Sequence, residues 1–173
     1  AALLRGKGGP AWTALQEARR LAPEGHPHRE RTQAKMCWLL GWAELQRGNL
    51  AEAGRCLAEA YGRAGGQSEL ELVILLAQAR LAWVEAGPAG LGRRRPPGLE
   101  LAQKARWIGE RGGYVLHLAD VHNLLAQMAL DARSPTLAGR HAALAQQYAT
   151  GEDPSFAYAL ALVEAKRLQA AIA

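Results

Sequence analysis

Apolar residues recur at helical spacing along almost the whole chain, and small residues fall at regular points within that pattern. The clearest stretch reads Cys37-x2-Leu40-Gly41-x2-Glu44, then Gly48-Asn49-Leu50, then Ala53-x3-Leu57-x2-Ala60. Two periods of about 3.6 residues flank a tight Gly-Asn turn, which predicts helices over 29–47 and 50–63. Glycine in a helix interior costs about 1 kcal/mol against alanine. Gly41 therefore implies a neighbouring helix packed against its missing side chain, with Ala53 and Ala60 serving the same seam. Further helices are predicted at 10–21, 69–86, 99–111, 114–132, from Ser134-Pro135 to about Tyr148, and 155–172. Pro10 and Pro135 suit the first helical turn, and Ser68 with Glu71 fits a capping box. For 99–111 two faces remain open, Leu101/Ala105/Ile108 or Ala102/Ala105. No β-branched alternation appears, so no sheet is expected.

The pattern recurs. Ala11-x3-Leu15-x2-Ala18 is followed by Pro23, and Ala138-Gly139-Arg140-x-Ala142-x2-Ala145 repeats the text of Ala53-Gly54-Arg55-x-Leu57-x2-Ala60. This spacing resembles the tetratricopeptide unit, W-x2-L-G-x2-Y…A-x3-F…P. Cys37 stands where that unit has Trp, Glu44 where it has Tyr, Leu57 where it has Phe, and Gly65 where Pro is common. The long, alanine-rich repeats resemble the C-terminal arrays of large bacterial signalling ATPases and transcription regulators. The resemblance implies an all-α fold, a right-handed superhelical stack of antiparallel helix-turn-helix repeats forming a single domain over 1–173. Its repeats would cover roughly 1–23 (partial), 24–66, 67–113 and 114–150, with a capping helix, polar on its outer face, in 151–173. It also implies a protein-protein interaction module that holds a peptide or partner domain in a concave groove.

Placing the turn residues Gly48, Gly87 and Arg133 in one register aligns the leading helices 29–47, 69–86 and 114–132. The expected groove stripe is then Lys35, Trp38 and Trp42, followed by Ile74, Ala77 and Leu81, and then Asp120, Asn123 and Gln127. Each set follows i, i+3, i+7 and so shares a face. The tryptophans at that spacing equally suit a core. Exposed Asn123 and Gln127 would be available to a peptide backbone.

Composition changes this picture little. The chain is 49% hydrophobic with a net charge of +5. Arg93-Arg94-Arg95-Pro96-Pro97 is the one basic run. It reads as a solvated insertion, and the competing reading is a nucleic-acid-binding solenoid that uses it. Only Lys7, Lys35, Lys104 and Lys166 are lysines among 21 basic residues, a bias that points to genome composition. Cys37 and Cys56 are expected to act as buried small hydrophobes in a cytoplasmic protein, although their hairpin would allow a disulfide. The chain lacks an initiator Met and a signal-peptide pattern, and it reads as a piece of a longer bacterial regulatory protein. His26-Pro27-His28 lacks a third metal ligand, His117 and His122 point to different helix faces, and no HExxH is present. Ser68, Ser134 and Ser155 fall at helix starts, where capping accounts for them. No catalytic constellation, metal or cofactor is expected, and nucleic acid and membrane are not expected partners.

Overall fold

The structure, a computed structural model, describes residues 13, 14, 17, 29–87, 95–151 and 157–172. Among these it is all-α, with seven helices in a row: α1 (Arg29–Arg47), α2 (Leu50–Arg63), α3 (Ser68–Ala86), α4 (Leu99–Gly112), α5 (Val115–Asp131), α6 (Pro135–Thr150) and α7 (Ala159–Ile172). The bounds of α1 and α2 are those read off the periodicity, and the others differ by one to four residues. Of the helix expected at 10–21, Thr13, Ala14 and Glu17 are helical, and the rest lies outside the described residues.

The helix junctions follow from local backbone chemistry. Gly48, Gly113 and Arg133 adopt left-handed φ of 82°, 67° and 56°. In each case the following N–H turns back to a carbonyl five residues earlier: Asn49 to Glu44 (2.9 Å), Tyr114 to Gly109 (3.0 Å) and Ser134 to Ala129 (2.9 Å). This is the Schellman closure of a helix C-terminus, and its left-handed position favours glycine. The same residue then caps the next helix, so α1–α2 and α4–α5 are joined by two residues and α5–α6 by three, all through the same closure. Glu44 serves the α1–α2 turn. It is 4% exposed and accepts a hydrogen bond from the Asn49 Nδ2 at 2.5 Å. The Ser68–Glu71 capping box does not form. Gln67 is the N-cap, without a side-chain bond, and Glu71 pairs instead with Lys104 at 2.9 Å. Ser134 is the N-cap of α6 but makes no side-chain cap bond either, and Ser155 lies outside the described residues.

The α1–α2 and α4–α5 contacts both close on a glycine. A Cβ on Gly41 would stand 2.8 Å from Leu57 Cγ, and one on Gly109 would stand 2.7 Å from Leu118 Cδ2. The α1–α2 hairpin is also tied at its open end, where Arg63 of α2 reaches Glu30 and Gln33 of α1. On α4 the buried positions are Ala102, Ala105, Ile108 and Gly109, which combine the two faces left open by the sequence. Cys37 and Cys56 are both buried, and no disulfide joins them.

Successive hairpins meet where α2 packs on α3 and α4 on α5, and also through the odd-numbered helices. One apolar cluster runs through Ala34 and Cys37 of α1, Leu72 and Leu75 of α3, Ala105 of α4 and Leu124 and Met128 of α5. The odd-numbered helices touch in series, α1 to α3, α3 to α5 and α5 to α7. Helix α7 runs parallel to α5: Tyr158 meets Asp120, Ala161 meets Asn123, and Arg167 meets Gln127. It thus continues the series of the odd-numbered helices beside α5. The polar outer face expected of a capping helix is interrupted by Leu160 and Val163, which are 50% and 68% exposed. No helix among the described residues is long and apolar enough to cross a membrane.

Candidate functional site

The face shared by the odd-numbered helices is built mostly from side chains that seven-residue spacing places on one side. On α1, Lys35 is exposed and Trp38 and Trp42 are half-buried. On α3 the face belongs to Arg80 and Trp83. The Arg80 guanidinium lies over the Trp42 ring, 5.2 Å from its centroid. The Trp83 Nε1–H donates to Asp131 Oδ2 of α5 at 2.8 Å. Ile74, Ala77 and Leu81, expected here, are buried instead. Ala77 and Leu81 pack with Leu45, Ala53 and Leu57 in the α1–α2 seam. The expected stripe on α3 was thus one residue out of register: its apolar positions seal the hairpin junction, and the polar Arg80 beside them turns outward.

On α5, packing by α7 decides the outcome. Asn123 is 4% exposed, and its Nδ2 donates to the Ala161 carbonyl of α7 at 2.9 Å. It joins two helices, and the expectation of an exposed groove amide does not hold. Gln127 is half-buried: its Nε2 donates to Asp131 Oδ1 at 3.2 Å, and its Oε1 accepts from Arg167 Nη2 at 2.8 Å. Asp120 accepts from the Tyr158 hydroxyl at 3.1 Å. Burial raises the Asp120 carboxyl above its ordinary value, against the opposing pull of that bond and of Arg80. Burial and the neighbouring Asp120 push Tyr158 up to about 12. A polar ladder therefore crosses the face from Trp83 through Asp131 and Gln127 to Arg167, which pairs with Glu164.

Arg80 stands apart from this ladder. Burial lowers its pKa, while Asp120 and Glu164 act on it in the opposite direction. Neither carboxylate is within ion-pair distance, and among the described residues Arg80 makes no hydrogen bond. Its Nε is buried without an acceptor, as is the Trp38 Nε1. A buried guanidinium Nε without an acceptor is an unfavourable arrangement, and the Trp42 ring offsets only part of it. Arg80, Trp83, Tyr158 and Arg167 escaped the sequence reading. The available signal was Arg80 itself, the one charged residue between Leu72 and Val84.

Other candidate chemistry does not assemble on this face. His117 lies 3.4 Å from Glu69 of α3, and His122 meets His141 of α6, so the two histidines do point apart. His26 and His28 lie outside the described residues, as do Arg93 and Arg94 of the basic run. Arg95 is exposed at the edge of a shallow depression bounded by Pro97 and Gln103. Among the described residues no three His, Cys, Asp or Glu side chains gather as a metal site would require. Comparison with known proteins found no match to a family model, to a curated protein or to a solved structure.

Proposed function

We propose that this chain is a tetratricopeptide-like repeat domain, a right-handed superhelical stack that serves as a protein-protein interaction module. It takes a peptide or partner domain on the face shared by α1, α3, α5 and α7. It works within a longer, cytoplasmic bacterial regulatory protein and performs no catalysis of its own. The observation that carries this reading is Arg80 held on the Trp42 ring without a hydrogen-bonded partner. A stacked, half-buried Trp–Arg pair is the kind of group that anchors interfaces. The series of contacts along the odd-numbered helices supports the repeat architecture, since stacked repeats touch only their neighbours.

The test is selection of binders from a randomised peptide display library on the wild-type domain. Selected peptides should lose roughly tenfold or more in affinity on Trp42→Ala or Arg80→Ala, the loss expected of an anchor residue. Peptides that bind both folded variants undiminished would place the surface elsewhere. Binding should persist in about 0.5 M salt, where attachment of nucleic acid to a basic loop falls steeply.

A further inference from the structure

His122 and His141 form a buried pair that the proposed binding face does not use. His122 projects from α5 at 2% exposure, and its Nδ1 lies 2.9 Å from the Nδ1 of half-buried His141 on α6. That is a hydrogen-bond distance. It requires a proton on one Nδ1 and a lone pair on the other, so the neutral pair holds one ring as each tautomer. The ring centroids are 5.1 Å apart, and the His122 ring also stacks on Tyr148 of α6, centroid to centroid 5.5 Å.

The surroundings offer little to a positive charge. Arg106 of α4 acts on both rings and no carboxylate does. Glu110, on the same helix as Arg106, lies 3.4 Å from that guanidinium. Helix α6 otherwise buries only Ala138, Ala142, Ala145 and Ala149. Alanine methyls remove little apolar area from water, so the histidine pair carries much of what is specific in the α5–α6 contact.

We propose that the His122–His141 hydrogen bond is an acid-sensitive latch that holds α6 on α5 and opens on protonation while α1 and α2 stay folded. The first added proton goes to the Nε2 of the ring that donates from Nδ1, and the bond survives. The second must take the accepting Nδ1 lone pair, which breaks the bond and sets two imidazolium rings against each other and against Arg106. Burial and these positive neighbours hold His122 down to about 4, and burial likewise lowers His141. The unfolded or detached segment therefore binds protons first as the pH drops. The contribution of the pair is complete above the ordinary histidine value of about 6.5 and is lost as pH falls toward about 4.

The experiment is amide hydrogen exchange of the whole chain between about pH 7 and pH 5, corrected for intrinsic exchange, with imidazole Cε1–H titration by NMR. Protection over 135–150 should fall by up to about tenfold per pH unit for each proton taken up, while protection over 29–63 holds. His141→Gln, which bears no titratable ring, should remove the step, and His122→Leu serves the same purpose should the first variant fail to fold. Three results would overturn the latch. One is that both histidines titrate near the ordinary value. Another is that α6 loses protection equally in a folded variant. The third is that 29–63 opens together with 135–150.

Discussion

Gly41 is the sharpest point at which packing and helix propensity oppose each other. Alanine placed there gains up to about 1 kcal/mol of helix propensity. Its Cβ would stand 2.8 and 2.9 Å from Leu57 Cγ and Cδ2 and 3.2 Å from the Ala53 carbonyl oxygen. Carbon contacts are optimal near 3.5–4.0 Å, so one side must move. Leu57 is 0% exposed, and the Ala53 oxygen is backbone, so neither yields cheaply. Overpacking of this kind costs about 1–3 kcal/mol, which outweighs the propensity gain. Gly139 is the matched control, in α6 with nothing within 4 Å of an added Cβ, and Gly139→Ala should gain the propensity alone. Gly54→Ala, whose Cβ would meet Leu81 Cδ2 at 3.5 Å, should behave like the control. In urea denaturation the midpoint of Gly41→Ala should fall below that of Gly139→Ala by roughly 1 M, taking a slope of about 1–3 kcal/mol per M. Gly41→Leu should fall further. A midpoint for Gly41→Ala that rises to match Gly139→Ala would refute the close approach of α1 and α2 at this residue.

Other consequences can be measured on the same protein. Arg133 occupies a left-handed position (φ 56°), so Arg133→Gly should raise thermal stability by about 1 kcal/mol; a fall would mean that the arginine side chain stabilises the turn. A Cβ on Gly98 would stand 2.3 Å from the Ala79 carbonyl oxygen at φ 83°, so Gly98→Ala should cost about 2 kcal/mol or more in denaturant midpoint. Burial, with Glu52 beside it, pushes the Cys56 thiol up to about 11, so an aromatic disulfide reagent should label the native protein slowly at neutral pH and the urea-unfolded chain rapidly. Trp83→Phe removes the donor to Asp131 and should cost about 1–2 kcal/mol, whereas Arg80→Met should leave the unliganded domain as stable as wild type or more so, both read from urea curves.

Local chemistry was enough to determine the elements. The hydrophobic period placed all seven described helices, because a stripe at 3.6-residue spacing has no other regular way to bury itself. The glycines at 41, 48 and 113 announced a seam and two turns, since close approach and left-handed backbone exclude most side chains. Even Arg133 was aligned with the turn glycines by register alone, and its backbone agrees. Other matters rest on distances that no single helix contains. Whether position 80 or 81 of α3 faces outward depends on how α2 meets α3, and a rotation of one residue exchanges Leu81 for Arg80. Asn123 looked like a groove amide until α7 lay along α5 and took its hydrogen bond. His122 and His141 stand 19 residues apart and become neighbours only when α6 folds back on α5. The sequence by itself thus determined the elements and their seams. The tertiary structure alone decided which polar side chains are spent inside the fold and which remain for a partner, because that choice is made by contacts between helices.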